Sequence, residues 1–258
     1  MSPELSHTRR SAGRPGGRIH ASARPAPHPG EADGKHAPAA FFDLDGTLVS
    51  TNLVHAYWYF ARNNQGLWKS LTRSVETLIK VPVFAGANAW DRQIFNEIFF
   101  KMYTGESADR LRYLSEEICE DVLKPAVYPG AVELIRAVKA SGLKPIIVSG
   151  APDFTLKPIA AHLGVEEFAC NRLEFVDGRC TGRMLPPVMA AATKAAWIRE
   201  WCEERSVRLS DCYAYADSYS DLPMLSVVGH PAAVNADLRL RAVAKRHAWP
   251  LLDLKGDA

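Results

Sequence analysis

The spacing of apolar positions changes character several times along the chain. Ala39 to Phe42 is an unbroken apolar run, as expected of a short strand buried on both faces. It stops at two acids, Asp43 and Asp45, one residue apart and followed by Gly46. From about Asn52 to Lys124 the period is helical. Leu67, Trp68, Leu71, Val75, Leu78 and Ile79 share one face, beside Lys69, Arg73 and Lys80, and this face is expected to pack inward rather than on lipid. Ile94, Phe95, Ile98, Phe99 and Met102 form a second stripe, with Gly105 beyond its stop. Leu111, Leu114, Ile118 and Val122 predict a third helix, with Ser107 as its N-cap.

After Pro129-Gly130, strand and helix patterns alternate. AVELIRAVKASG reads as a helix with Pro129 near its start and Gly142 past its end. LKPIIVS (143–149) is a strand, and FTLKPIAAHLG a helix that Asp153 is expected to cap and Pro158 to kink. RLEFVDGRCTG predicts a hairpin turning at Asp177-Gly178. TKAAWIREWCEE (193–204) is a helix, CYAYA (212–216) a strand, and AAVN (232–235) a last short strand before a basic helix and tail. The expected fold is α/β: a doubly wound, Rossmann-like parallel sheet with a mainly helical cap inserted after the first strand. The predicted divisions are a basic tail at 1–37, a core formed by 38–51 and 125–258, and a cap at 52–124.

Composition narrows the function. The tail is rich in Arg, Pro and Gly and is expected to be disordered, because it has little apolar surface to bury. Arg9-Arg10 is followed by no apolar segment, so no export signal is expected. The tail histidines His7, His20, His28 and His36 fit no single metal site. The net charge of +2 gives no case for a nucleic-acid partner. No run is apolar and long enough for a transmembrane segment. Five cysteines without metal or redox spacing suit a reducing, cytoplasmic setting.

Ligands of open α/β sheets bind at the carboxyl ends of strands. Asp43-Leu44-Asp45-Gly46-Thr47 follows the first strand, Ser149-Gly150 the second, and Asp217-Ser-Tyr-Ser-Asp221 the strand YAYA. Lys194 opens the helix between the last two, with Lys157 as a competitor. Clustered carboxylates repel, so at neutral pH they require a cation or a shared proton. An all-oxygen site suits Mg²⁺, while the lysine, the serine hydroxyl and backbone N–H groups suit a phosphate. Metal, phosphate and a spare carboxylate together point to phosphoryl transfer onto an aspartate. A calcium loop does not fit, because Gly46 stands two positions early and Val54 occupies the place of the required glutamate. Helix capping is the bland alternative for Asp217 and Asp221, as a turn position is for Ser149.

At these residues the chain resembles the haloacid dehalogenase superfamily of phosphatases: DLDGT (43–47), Ser149 after an apolar strand, Lys194 and DSYSD (217–221) match its four motifs in order. The resemblance spans about 38–255, and the cap position is similar to the branch of phosphoserine phosphatases. VSGAPDF, RLEFVDGRCTG and VGHPAAVNAD are similar to a bacterial group of that branch that includes histidinol-phosphate phosphatases. The resemblance implies a phosphatase acting on a small phosphorylated metabolite through a phosphoaspartate. It makes Asp43 the nucleophile and Asp45 the general acid and base. Thr47 would fix the loop, and Ser149, Gly150 and Lys194 would bind the phosphate. Mg²⁺ would be held by Asp43, the Asp45 carbonyl, Asp217 and Asp221. LVSTNLVHAYW carries no acid where phosphoserine phosphatases read the substrate's amino group, and motif four has Ser-Tyr-Ser where they have glycine and small residues. Asn52, His55, Tyr57, Trp58 and Arg92 are candidates to line the site. The alternatives are a phosphotransferase or phosphomutase using the same Asp43, and a non-enzymatic phospho-acceptor signalling module. A dehalogenase has no leaving oxygen for Asp45 to protonate.

Overall fold

The computed structural model describes residues 37–51 and 99–256. The tail to residue 36, the apolar stripes at 67–79 and 94–98, and the candidate lining residues Asn52, His55, Tyr57, Trp58 and Arg92 lie outside the described residues. The described strands form one sheet: β1 (Ala39–Phe42), β2 (Lys144–Pro152), β3 (Glu167–Val176), β4 (Arg179–Leu185), β5 (Tyr213–Ala216), β6 (His230–Val234) and β7 (Leu251–Leu252). Their order is β4-β3-β2-β1-β5-β6-β7, and every pair is parallel except β3 with β4. The chain winds outward from β1 to one side, then crosses back to fill the other. The switch point therefore falls at β1, between β2 and β5.

Among the described residues, six α-helices flank the sheet: α1 (Ala108–Ile118), α2 (Pro129–Ala140), α3 (Asp153–His162), α4 (Ala192–Glu204), α5 (Leu222–Ser226) and α6 (Leu238–Arg246). Strand alternation sorts the side chains between two cores. Ala40, Phe42, Ile147, Tyr215 and Val234 pack with α1, α2 and α3, whereas Ala39, Phe41, Ile146, Val148 and Ala214 pack with α4, α5 and α6. Phe42 stacks on Tyr215 at 4.6 Å, and Phe41 meets the edge of Trp201 at 5.6 Å on the opposite face. A strand covered on both faces must be apolar throughout, which is why AAFF carries no alternation.

Most sequence-derived elements stand where expected. Ser107 caps α1 by accepting the Arg110 N–H at 3.2 Å, and Asp177 and Gly178 form the hairpin turn with φ of 49° and 73°. The helix expected around Pro158 is α3, which runs through that proline to His162. Three details differ. Pro152, not Asp153, occupies the N-cap of α3, because its fixed φ suits the extended cap position; Asp153 is the first helical residue. α1 runs on into a π-helical turn, Cys119–Leu123, that carries Val122. β6 is not the last strand: β7 adds beyond it, pairing Leu251 with Ala233 and Leu252 with Val234.

The strand-like ends of the predicted insertion are joined. Ser50 N–H donates to Ala126 C=O at 2.7 Å and Tyr128 N–H to Leu48 C=O at 3.0 Å, with Val49 bridged to Val127. The described part of the insertion, from Phe99, is helical, and Tyr103 packs edge-on to Phe154 of α3 at 5.5 Å. Among the described residues no helix is long and apolar enough to cross a membrane.

The turn that leads into β6 depends on a missing side chain. A Cβ on Gly229 would lie 1.9 Å from the Ser210 carbonyl oxygen, which is backbone and cannot swing away. Gly229→Ala is expected to destabilise the fold by about 1–3 kcal/mol, as overpacking does. Urea unfolding monitored by circular dichroism measures it, and an unchanged midpoint would contradict this packing.

Candidate active site

The switch point brings the strand ends of β2, β1 and β5 side by side, and each delivers polar residues to one edge. Asp43 follows β1 and stays tied to the sheet through its N–H, which donates to Tyr215 C=O at 2.9 Å. Its side chain is buried. Leu44 turns into the core, while Asp45 is half-buried on the same edge as Asp43. Beyond them the chain folds sharply: the Leu44 carbonyl accepts from Thr47, Leu48 and Val49 N–H groups at 3.2, 2.9 and 3.1 Å. Gly46 makes this turn at φ +81°, and a Cβ there would sit 2.2 Å from Asp217 Oδ2. Only glycine satisfies both demands. Thr47, fully buried, donates its hydroxyl to Asp217 Oδ1 at 3.2 Å, so the β1 loop fixes the β5 carboxylate.

Lys194 lies in the first turn of α4 and is 4% exposed. Its Nζ bridges Asp43 Oδ1 and Asp221 Oδ1, both at 2.7 Å. Lys157 is exposed on α3, whereas the buried Lys194 is the lysine that pairs with Asp43 and Asp221. Burial pulls the Lys194 ammonium down, but the carboxylates of Asp221 and then Asp43 outweigh it and hold the group above its ordinary value. The sign is that of a stabilising cation. Its contribution is complete below the ordinary value of 10.5 and is lost only as pH rises through the raised one.

Asp221 occupies the N-cap of α5 but makes no side-chain cap bond. Its carboxylate serves the site instead. Oxygens of Asp43, Asp217 and Asp221 lie within 4.8 Å of one another. Asp221 Oδ2 is buried and accepts no hydrogen bond among the described residues. An all-oxygen donor set of three clustered carboxylates with an orphaned acceptor fits a hard divalent cation. Asp45 does not contribute its side chain to this trio.

Ser149 is fully buried inside β2, which runs on to Pro152 beyond its expected end at 149, and its Oγ accepts the Ala151 N–H at 3.0 Å. Gly150 follows in the same strand. Two asparagines that sequence reasoning passed over complete the edge. Asn235, at the end of β6 with φ 47°, donates to the Gly46 carbonyl at 3.1 Å and accepts the Leu254 N–H at 3.0 Å. Asn171 on β3 joins Gly150 to Met189. Asp237 is a further omission: it accepts the Tyr219 N–H at 2.8 Å and caps α6. Extending the inventory of strand ends to AAVN would have found Asn235 and Asp237. Asn171 lies inside a strand and shows only as a polar break in FACNRLEF.

The family model of haloacid dehalogenase-like hydrolases matches residues 40–226. A probable phosphatase of Mycobacterium tuberculosis is 33% identical over 230 residues, covering 88% of this chain and 79% of that protein. A histidinol-phosphatase of Neisseria meningitidis is 28% identical over 227 residues, covering 84% of this chain and 98% of that protein. Among solved structures, a Bordetella pertussis protein of unknown function aligns with a TM-score of 0.75 at 26% identity, over 85% of this chain and 99% of that one. A phosphoserine phosphatase captured as a phospho-aspartyl intermediate analogue shares the fold, with a TM-score of 0.63 at 18% identity over 86% of this chain and 94% of that one.

The buried ammonium is expected to hold the site together. Lys194→Met leaves buried carboxylates uncompensated and should cost about 3–5 kcal/mol in metal-free buffer. Chemical denaturation of the two proteins tests this, and equal stabilities would show that the ion pair is not formed.

Proposed function

Because the chain belongs to the haloacid dehalogenase-like hydrolases, we propose that it is a Mg²⁺-dependent phosphomonoesterase working through a phosphoaspartate on Asp43. The observation that carries this reading is the Lys194 ammonium, 2.7 Å from both Asp43 and Asp221, beside the three-carboxylate cluster. Asp43 is the nucleophile. One carboxylate oxygen forms a bond to phosphorus as the bond to the leaving oxygen breaks in line. Asp45 gives that oxygen its proton. It then takes a proton from the water that attacks phosphorus and releases Asp43. Its partial exposure suits a group that must meet both the leaving oxygen and water.

Ser149 Oγ and the Gly150 N–H hold phosphoryl oxygens, and Lys194 neutralises charge that develops on them and on Asp43. Thr47 orients Asp217 through its hydrogen bond and so fixes the loop. Mg²⁺ would be held by Asp43, the Asp45 backbone carbonyl and Asp217, with Asp221 in support. Bound there, it would offset carboxylate charge and polarise the phosphoryl group.

Residues 52–124 are read as the helical cap over this edge, its stem formed by the pairing of 48–50 with 126–128. The substrate is a small phosphorylated metabolite. Histidinol phosphate and phosphoserine are the first candidates, supported by the names of the relatives and structural neighbours. A cytoplasmic setting is supported by the five cysteines, all free.

Phosphate release from an aryl phosphate tests this reading. The wild type should turn over with Mg²⁺ and stop on chelation, and Asp43→Asn should be inactive. Asp45→Asn should be slower by about 10²–10⁴-fold, the usual worth of acid–base help. Equal rates for the wild type and Asp43→Asn would refute it. A screen of phosphorylated metabolites then names the substrate.

A further inference from the structure

Asn171 takes no part in the proposed chemistry, yet it is 1% exposed and hydrogen-bonded at both ends of its amide. A buried amide must find hydrogen-bond partners, and here both are backbone groups from separate segments. Nδ2 donates to the Gly150 carbonyl at 2.8 Å, and Oδ1 accepts the Met189 N–H at 2.7 Å.

Gly150 is itself one of the proposed phosphate-binding residues, and Met189 stands in the chain segment that leads to another, Lys194. β2 and β3 pair in register as far as Val148 with Ala169, and pair again at Pro152 with Asn171. Three residues, Ser149 to Ala151, therefore stand opposite Cys170 alone. This bulge lifts Ser149 and Gly150 out of the regular ladder, and bulges of this kind re-aim groups next to sites. Asn171 stands where the ladder resumes and pins the bulge through Gly150. Met189 belongs to the loop that leads into α4 and Lys194. That helix start has no side-chain cap, and Ala191 holds its N-cap position at φ 41°. The Met189 bond to Asn171 anchors the loop from the neighbouring strand.

From this geometry we infer that Asn171 is a positioning residue, whose one amide sets the spacing between the Ser149–Gly150 bulge and the helix start that carries Lys194. The inference rests on the phosphate-binding roles given above to Ser149, Gly150 and Lys194. Two arms that grip one phosphoryl group from different segments must be fixed relative to each other. Their spacing matters most in the transition state, when charge on the phosphoryl oxygens changes. Loss of Asn171 should therefore lower kcat more than it raises KM.

The test compares steady-state phosphate release by the wild type, Asn171→Ala, Asn171→Asp and Asp43→Asn, with an aryl phosphate and saturating Mg²⁺ across pH. Thermal melts confirm folding. Asn171→Asp is nearly isosteric: it keeps the acceptor for Met189 and loses the donor to Gly150. Its kcat should fall about ten- to a hundredfold at mildly alkaline pH while KM moves less than about threefold. Relative to the wild type, it should recover as pH falls, because the protonated carboxyl restores a donor to Gly150. Asn171→Ala should show no such recovery. Wild-type kcat in folded Asn171→Asp at every pH would overturn the inference, as would a loss in KM alone or no recovery at low pH. Turnover by Asp43→Asn at the wild-type rate would instead bring down the phosphatase reading, and this inference with it.

Discussion

The buried Lys194 ammonium bridges two of three clustered carboxylates, and the organisation of the site follows from that bridge. Lys194 satisfies one oxygen each of Asp43 and Asp221, and Thr47 satisfies one of Asp217. Charge left uncompensated is costly in a low-dielectric interior. In the proposed reading Mg²⁺ would supply further positive charge, and the phosphoryl group would bring its own negative charge to where Lys194 and the Ser149 bulge can meet it. A site arranged in this way is prepared for charge that moves during reaction, which is where fixed dipoles and ions act most effectively.

The sheet makes the cluster possible. Asp43, Asp217 and Ser149 come from three neighbouring strands, and their carboxyl ends meet only at the switch point. The close approach of the β1 loop to β5 requires a residue without a Cβ at position 46. Around this centre, hydrogen bonds from side chain to backbone hold the loops. Asn235 fastens the Gly46 turn to the chain end at Leu254, Asp237 fastens Tyr219, and Asn171 fastens the Ser149 bulge to the lysine loop. None of these three side chains belongs to the carboxylate trio; they act through the backbones they hold.

What the sequence made legible was charge in unexpected places. Two acids after AAFF, and acids again after YAYA, break an apolar run and therefore stand out. Lys194 was visible by its order among the motifs, but spacing did not separate it from Lys157; the difference in burial between them shows only in the folded chain. Asn171 and Asn235 left weaker traces because their partners are backbone atoms, and any residue type supplies a backbone partner. The same limit explains the misplaced cap at Asp153, where Pro152 already has the extended conformation that the cap needs. β7 was missed because two leucines after a proline carry too little pattern to announce a strand. Cys202 and Cys212 approach to 3.8 Å between α4 and the start of β5, a contact that their spacing of ten did not suggest.

The central claim is that Asp43 carries the phosphoryl group during turnover. Rapid acid quenching during reaction with an aryl phosphate, followed by peptide mapping, tests it most directly. The account predicts an acid-stable, alkali-labile phosphate on the peptide containing Asp43, formed in the wild type with Mg²⁺ and absent from Asp43→Asn. A phosphate on another residue, or steady turnover with no covalent phosphate at any quench time, would contradict it.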